Sequence, residues 1–327
     1  MSTHRPRVAV LAGGYGGAKL SHGVALASSA RAAAGRAPLD LTVIVNTGDD
    51  LVLHGLSVSP DLDTVMYTLA DLANDETGWG VRDETWSTGA MLQRYGAETW
   101  FGLGDRDMAT LIRRTQLRRD GLSLTAATAE LCARLEVPAR LLPMTDDEVR
   151  TEIRTAAGWL EFQEYFVKRG QAEEVLEIRR RGIETARPTA EVRATVAEAE
   201  LIVIAPSNPF VSVGTILALP GMLEALLATP APVVAVSPVV GGAALRGPAA
   251  SMLRSLGGTA SAAGVVVHYR ERYPGLVDTF VLDEVDAAEV SALEASGAAI
   301  ELLPTVMRTH DDRAALAEAI VDAHLPA

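Results

Sequence analysis

Four aspartates lie close together after a short apolar run, and their grouping is the clearest sign of chemistry in the sequence. They are Asp49, Asp50, Asp61 and Asp63, in the stretches Asn-Thr-Gly-Asp-Asp and Ser-Pro-Asp-Leu-Asp-Thr. Carboxylates that converged without a cation would repel one another, and oxygen ligands shared with a phosphate suit Mg²⁺. The pattern therefore predicts a metal- or substrate-binding role for at least one of the four. The structural alternative is a helix start, where Ser-Pro-Asp caps the first turn.

A glycine-rich turn stands between the first apolar run and a helix-forming segment. Its glycines are Gly13, Gly14, Gly16 and Gly17, and Lys19 follows them. Glycine lets the backbone approach a ligand closely, and free N–H groups at a helix start bind anions. The turn predicts a phosphate or diphosphate site with Lys19 as a further ligand, although a tight turn alone would also need glycine. It is not a Walker A motif, and Lys19 occupies the third glycine position of the dinucleotide fingerprint.

Two more polar turns follow strongly apolar runs in the second half of the chain. The first carries Ser207 and Asn208, and the second carries Ser237, Gly241 and Gly242. Such residues present donors to a base or phosphate and allow close backbone approach. Each turn by itself has an ordinary structural explanation. Several of them in one chain favour a shared crevice.

A third kind of segment offers aromatic and basic groups to an organic ligand. Trp86 and Trp100 have flat faces for stacking, although a core position is the alternative for either ring. Arg106, in Gly-Leu-Gly-Asp-Arg-Asp, can bind an anion or orient a carboxylate.

The elements that must position these residues alternate between short apolar runs and longer amphipathic stretches. This alternation predicts a doubly wound, Rossmann-like α/β fold with a mostly parallel sheet. We expect strands at 7–12, 41–46, 98–101, 140–142, 175–179, 201–205, 233–237, 264–268, 279–282 and 300–303. We expect helices at 18–29, 63–74, 105–117, 125–135, 189–199, 215–228 and 311–324.

The middle of the chain interrupts the alternation. It is rich in charged residues and helix formers, as in Trp-Leu-Glu-Phe-Gln-Glu-Tyr-Phe-Val-Lys-Arg-Gly. We therefore predict a mixed, mainly helical insertion or cap at 116–187. Residues 1–115 and 188–327 would then form the nucleotide-binding core.

Composition excludes several classes of protein. The 327 residues are 48% hydrophobic and 22% charged, which is typical of a globular protein with an ample core. The net charge of −13 disfavours a nucleic-acid-binding protein, which needs a basic surface. No apolar run reaches the roughly 18 residues of a membrane span, and the N-terminal run is too short for a signal peptide. We therefore expect a cytoplasmic protein without a membrane partner.

Taken in order, these motifs resemble the 2-phospho-L-lactate transferase family of coenzyme F-420 biosynthesis. The resemblance covers most of the chain and is carried by Gly-Gly-x-Gly-Gly-x-Lys-Leu at 13–20, Val-Asn-Thr-Gly-Asp-Asp at 45–50, Ser-Pro-Asp-Leu-Asp-Thr-Val at 59–65, Leu-Gly-Asp-Arg-Asp at 103–107, Leu-Pro-Met-Thr-Asp-Asp at 142–147, Ser-Asn-Pro at 207–209 and Ser-Pro-Val-Val-Gly-Gly at 237–242. The form Gly-Gly-Tyr-Gly-Gly-Ala is similar to the actinobacterial branch. Tyr15 and Ala18 depart from the archaeal Gly-Gly-Thr-Gly-Thr-Pro.

The resemblance implies a Mg²⁺-dependent transfer onto Fo, a deazaflavin with a ribityl chain. The donor would be a guanosine diphosphate derivative of a three-carbon acid, and GMP would be released. The acid would be enolpyruvate in the actinobacterial branch and lactate in archaea. The family is usually dimeric, so a homodimer is expected.

The resemblance also implies a role for each group of residues. The nucleotide would be held by Gly13, Gly14, Gly16, Gly17, Lys19, Ser207, Asn208, Ser237, Gly241 and Gly242. Fo would contact Thr47, Asp63, Trp86, Ser87, Thr88 and Arg106. Mg²⁺ would be bound among Asp49, Asp50, Asp61 and Asp63, with Asp49 and Asp63 favoured as catalytic carboxylates. The competing hypothesis is a nucleotide-sugar-binding regulatory protein, related to this family, that binds its ligand without turnover.

Overall fold

The computed structural model describes residues 4–244 and 247–325. Its strands, numbered in chain order, are β1 (Arg7–Ala12), β2 (Asp40–Val45), β3 (Leu51–Leu53), β4 (Leu56–Val58), β5 (Arg140–Pro143), β6 (Arg150–Thr155), β7 (Gly158–Glu161), β8 (Glu177–Arg181), β9 (Leu201–Ile204), β10 (Val233–Val236), β11 (Val239–Val240), β12 (Ala243–Ala244), β13 (Thr279–Asp283) and β14 (Ile300–Leu303).

The helices are α1 (Gly14–Ala33), α2 (Pro60–Leu69), α3 (Ser87–Arg94), α4 (Asp105–Arg119), α5 (Leu124–Arg134), α6 (Ala190–Glu198), α7 (Val213–Leu217), α8 (Met222–Ala228), α9 (Ala249–Ser255), α10 (Ala262–Arg272), α11 (Ala287–Ala295) and α12 (His310–His324). A π-helical turn covers Glu164–Lys168, and a 3₁₀ turn covers Glu284–Asp286. Within the described ranges, no helix combines the length and apolar character that crossing a membrane requires.

Seven strands form the central sheet in the order β14-β13-β10-β9-β1-β2-β5. Every neighbouring pair in this sheet is parallel. The strand order reverses between β1 and β9, and ligands of doubly wound sheets bind at such a switch point. The predicted Rossmann-like α/β fold is thereby confirmed.

Residues of the central strands pack alternately into two apolar layers. On β1, Val8 and Val10 face the layer that includes α1, α2 and α12, whereas Ala9 and Leu11 face the layer that includes α6, α7, α8 and α10. Val10 and Leu11 are both fully buried. Because both faces of the sheet are covered, its strands are almost continuously apolar, which is why the sequence pattern reveals them.

Two of the expected strands are wrong. Residues 98–101 have no strand pairing, and residues 264–268 lie inside helix α10. Ser261 begins that helix, and its hydroxyl accepts a hydrogen bond from the Gly264 N–H at 3.0 Å. The cap and the burial of Val265 and Val266 on one face outweigh the strand preference of the valine run.

The segment 116–187 is less helical than predicted. It contains the end of α4, helix α5 and the π-helical turn, but β5 belongs to the central sheet. Strands β6, β7 and β8 form a separate antiparallel sheet in the order β7-β6-β8. Its outer strand β8 alternates partly buried and exposed residues in a charged sequence, so the charge pattern concealed it. The division of the chain into a core and an insertion stays a prediction.

Candidate active site

The turns after β1 and β9 contact each other at the switch point. Ser207 Oγ accepts a hydrogen bond from Gly13 N at 3.0 Å and donates one to Gly13 O at 2.8 Å. A β-carbon on Gly16 would lie 2.3 Å from the carbonyl oxygen of Pro206, and one on Gly17 would lie 2.6 Å from Ser207 Oγ. Glycine at these positions therefore allows the two turns to pack together.

We expect Gly16→Ala to lower the free energy of unfolding by about 1–3 kcal/mol, because the added methyl must push the two turns apart. Gly89, in helix α3, offers a matched control, since the nearest atom to its added β-carbon is 3.9 Å away. Gly89→Ala should be neutral or slightly stabilising because alanine favours helix. Urea unfolding followed by circular dichroism measures both. Equal free energies of unfolding for the two variants would contradict the packing argument.

A cavity of about 1010 Å³ opens at the carboxyl ends of the central strands. Turns after β1, β2, β9, β10 and β14 all contribute to its wall. Its volume is at the upper end of the range for small-molecule sites.

The structure brings only part of the predicted site together in this cavity. The predicted residues that line it are Gly13, Gly14, Gly16, Lys19, Asp49, Asp61, Asp63, Ser207, Asn208 and Ser237. The predicted residues that lie outside its described lining are Gly17, Thr47, Asp50, Trp86, Ser87, Thr88, Arg106, Gly241 and Gly242. Ligand contacts by this second set stay predictions.

The segment that was expected to contact Fo has a structural role of its own. The backbone N–H groups of Ser87 and Thr88 donate to the carboxylate of Asp105 at 3.1 and 2.9 Å. Together with the hydroxyl of Thr85, which has the largest effect, they lower the pKa of Asp105 to about 2. These contacts hold the start of α3 against the start of α4.

Trp79 takes the place in the cavity wall that the sequence suggested for Trp86. The two rings meet edge to face, with centroids 6.1 Å apart. Phe101, Phe162 and Phe166 line the same cavity, and the latter two rings stack with centroids 5.5 Å apart. Trp79 lies between two glycines, a pattern that could have predicted an aromatic ring at the tip of a loop. No comparable pattern in the sequence predicts the π-helical turn that carries Phe166.

Lys19 lies on the cavity wall beside the glycine turn. Its ammonium group donates to the carbonyl of Met307 at 2.6 Å and lies 4.3 Å from the centroid of the Tyr15 ring. The Tyr15 hydroxyl donates to the carbonyl of Asp75 at 2.9 Å. Arg308 also lines the cavity, so two cationic side chains stand near the start of α1.

The four aspartates of the acidic group divide into two pairs. Asp49 and Asp61 are buried neighbours, and Asn46 Nδ2 donates to Asp61 Oδ2 at 2.9 Å. Burial, and after it the Asp61 carboxylate, raise the pKa of Asp49 well above its usual value. Burial also raises the pKa of Asp61 to about 6. Two carboxylates in this arrangement are costly when both are ionised, unless a cation lies near them.

The second pair is already neutralised in part by protein groups. Arg114, on α4, is 1% exposed and forms a two-pronged ion pair with both oxygens of Asp63. Ser59 Oγ donates to Asp50 Oδ2 at 2.7 Å, and burial raises the pKa of Asp50 to about 7. Asp63 is therefore less available to a metal ion than Asp49 or Asp61.

Oxygen atoms near the first pair fit a hard cation. Those that are buried without a hydrogen-bond partner include Thr47 Oγ1 and Asp50 Oδ1, on the loop that carries Asp49. Five carboxylates and two cationic side chains stand in the described lining of the cavity. An anionic ligand would need added positive charge there, and Mg²⁺ binds carboxylate and phosphate oxygens together.

The pKa of Asp61 predicts how stability depends on pH. Because this pKa is about 6 in the folded protein and 3.8 is its ordinary value, the folded state binds the proton more tightly. Stability is therefore lost as pH rises from about 4 through about 6. In EDTA, the free energy of unfolding of the wild type should fall over this pH window. It should fall by about 1 kcal/mol or more beyond any fall seen in Asp61→Asn. Parallel pH curves from urea unfolding would contradict this prediction.

Asp107 is a cavity residue that was not among the predicted site residues. It is 8% exposed, lines the cavity and accepts a hydrogen bond from the Tyr67 hydroxyl at 2.8 Å. Burial, followed by the Asp63 carboxylate, raises its pKa to about 7. Arg106, the predicted residue next to it, instead donates to the carbonyl of Arg82 at 3.0 Å. The helical period of α4 separates the two, since adjacent residues point about 100° apart.

Comparisons with known proteins identify the family. The sequence model of the family described as 2-phospho-L-lactate transferase CofD matches residues 8–309. A phosphoenolpyruvate transferase from Kitasatospora aureofaciens is 45% identical over 307 residues, which cover 92% of each chain. Those of Streptomyces griseus and Mycobacterium leprae are 45% and 40% identical, over 95% and 92% of this chain and 96% and 93% of theirs.

Solved structures support the fold. A crystal structure of a UPF0052 family protein from Bacillus halodurans aligns with a TM-score of 0.66 at 16% identity, covering 98% of this chain and all of that one. At this identity the likeness establishes the architecture alone. The family match and the 40–45% identical relatives extend over nearly the whole chain. The chain therefore belongs to the 2-phospho-L-lactate transferase family and is a transferase.

Proposed function

We propose that this transferase moves a phosphoenolpyruvyl group from a guanosine diphosphate-linked donor to the ribityl hydroxyl of the deazaflavin Fo, releasing GMP. One observation carries the proposal: a single cavity combines a glycine turn at a helix start, a buried carboxylate pair and an aromatic end. The enolpyruvyl group is chosen because relatives at 40–45% identity are named phosphoenolpyruvate transferases. The 2-phospho-L-lactyl group is the variant that the family name offers.

The donor is assigned to the glycine-turn end of the cavity. Backbone N–H groups at the start of α1 favour an anion, and Lys19 and Arg308 add positive charge nearby. The side chains of Ser207, Asn208 and Ser237 are already hydrogen-bonded within or between the turns, so in this assignment they shape the donor end of the cavity.

The acceptor is assigned to the aromatic end. The deazaflavin is a flat ring, and Trp79, Phe101, Phe162 and Phe166 provide apolar and stacking surface in the same cavity. Trp86 supports Trp79 through their edge-to-face contact. In this assignment both substrates meet at the carboxylates of the same cavity.

Asp49 and Asp61 are the residues we assign to Mg²⁺. When bound, the ion would offset the charge of the donor phosphates, which is the main electrostatic need of phosphoryl transfer. Asp63 is held by Arg114 and shapes the wall beside them.

Asp107 is the group we assign to the proton of the attacking hydroxyl. Its pKa of about 7 suits a base that works near neutral pH. The hydroxyl oxygen forms a bond to the phosphorus that carries the three-carbon acid, and the bond from that phosphorus to the bridging oxygen breaks. The electron pair leaves with GMP, and the proton passes to an Asp107 carboxylate oxygen.

Release of GMP that depends on Fo tests the function. The purified chain, Mg²⁺ and the guanosine donor are incubated with and without Fo, and GMP is measured by chromatography. Release only in the presence of Fo is expected. A thermal-shift series tests the regulatory alternative, because stabilisation by UDP-sugars and not by GDP or Fo would overturn the proposal. Sedimentation of the same sample tests the homodimer.

A further inference from the structure

A second, much smaller cavity lies behind the loop that follows β2. Its volume is about 10 Å³, which is enough for roughly one water molecule. Asp49 lines both this cavity and the large one, whereas Thr151, from β6, lines only the small one. Strand β6 of the small antiparallel sheet thus lies beside Asp49, on the side away from the large cavity.

Thr151 is held tightly against this loop. Its backbone N–H donates to the carbonyl of Gly48 at 2.7 Å, and its side chain is almost fully buried. A β-carbon on Gly48 would lie 2.6 Å from Thr151 Oγ1, so the hydroxyl lies directly beside the loop backbone. The position of this hydroxyl is therefore set by the pairing of the small sheet with the loop.

Two buried oxygen atoms lie beside the small cavity. Thr151 Oγ1 and Asp49 Oδ1 have no hydrogen bond of good geometry, but the two side chains are close enough for the Thr151 hydroxyl to favour the ionised form of Asp49, which lowers the pKa of that carboxyl against the larger effect of burial. Buried polar atoms in native proteins are almost always satisfied, so the two oxygen atoms are expected to interact with each other at the edge of this cavity. Arg150 lines the same small cavity together with Asp50 and Glu161, so the charges around it are mixed.

We propose that Thr151 is a positioning residue for the cation site: its hydroxyl, on the side of the small cavity, orients the Asp49 carboxylate. The inference rests on the Mg²⁺ assignment in the proposed function. The Thr151 hydroxyl holds one oxygen of the Asp49 carboxylate on the side of the small cavity, so the other oxygen is turned toward the large cavity. Groups that orient metal ligands in this way change metal affinity by about 10- to 100-fold when they are removed.

The test compares the response of four proteins to Mg²⁺ alone, without substrates. They are the wild type, Thr151→Val, Thr151→Ser and the control Thr155→Val. Thr155 is a buried residue on the same strand, but its hydroxyl accepts from Ala157 N at 3.1 Å, away from the aspartates. The readout is the Mg²⁺ concentration that gives half of the maximal rise in melting temperature.

Thr151→Val should need at least about tenfold more Mg²⁺ than the wild type, because it lacks the orienting hydroxyl. Thr151→Ser should stay close to the wild type. Thr155→Val should melt at a lower temperature but keep the wild-type Mg²⁺ midpoint. If Thr151→Val does not fold, Thr151→Ala gives the same comparison.

The outcomes distinguish the role of Thr151 from the Mg²⁺ assignment on which it rests. A wild type that responds to Mg²⁺ and a Thr151→Val variant with the same midpoint would overturn the role of Thr151 alone. A wild type that does not respond to Mg²⁺ would overturn the cation assignment, and the role of Thr151 with it. If Thr151→Val and Thr155→Val shift the Mg²⁺ midpoint equally, the shift comes from general damage to the small sheet. That result would also overturn the proposed role of Thr151.

Discussion

Replacing Arg114 with methionine is expected to lower the free energy of unfolding by about 3–5 kcal/mol, because it leaves the buried Asp63 carboxylate without a partner. Both Asp63 oxygens bind this guanidinium, and the two side chains are only 1% and 8% exposed. Water therefore cannot replace the lost ion pair. Methionine retains much of the apolar volume, so the loss reports on charge and not on an empty space. Urea unfolding measures it.

The double variant Asp63→Asn with Arg114→Met provides the control. Removing both charges leaves no isolated buried ion, and replacement of a whole buried pair is often close to neutral. The double variant should therefore recover about 1 kcal/mol or more relative to the sum of the single losses. Strictly additive losses would show that the two side chains do not stabilise each other.

Replacing Asp49 with asparagine is expected to lower transferase turnover by about a hundredfold or more, because the site then loses one of the two charges that we assign to the Mg²⁺ site. Asparagine has the same shape, so the folded structure should persist. The stability of the variant at neutral pH in EDTA should be equal or greater, since the repulsion between Asp49 and Asp61 is removed. Steady-state release of GMP at saturating Fo measures turnover.

Asp40 gives a control on the same strand. It is exposed at the opposite end of β2, far along the strand from the loop that carries Asp49. Asp40→Asn makes the same chemical change and should leave turnover within about twofold, as surface changes usually do. Similar losses in both variants, or near-normal turnover in Asp49→Asn, would remove Asp49 from the chemistry.

The central sheet was predictable because its strands are covered on both faces. Strands such as β1 and β9 are buried along nearly their whole length, and this burial produces the apolar runs that the sequence displays. The small sheet was not predictable in the same way, since β8 is half exposed and carries three arginines. The strand predicted for the valine run of α10 was wrong because the Ser261 cap and tertiary packing, which the local pattern does not display, favour a helix there.

The candidate site was predictable where it lies in short strand-end motifs. The glycine turn, Asp49 and Ser207 were identified because each directly follows a buried strand, and the sheet brings those ends together. Partners that are distant in sequence were not: Arg114 lies 51 residues from Asp63, and no local pattern links them. For the same reason Thr151 was not identified, because its contact with the loop after β2 arises from the hydrogen bond between its N–H and the carbonyl of Gly48, a residue distant in sequence to which no local motif links it.

Mass spectrometry of the deazaflavin tests most directly whether this cavity joins Fo to the three-carbon phosphate. The chain is incubated with Fo, the enolpyruvyl guanosine donor and Mg²⁺, and Asp49→Asn is run beside it. We predict a product with the mass of Fo plus an enolpyruvyl phosphate group, joined through the ribityl oxygen and formed in step with GMP. Unchanged Fo, or GMP released without a new deazaflavin species, would contradict the assignment of Fo as the acceptor.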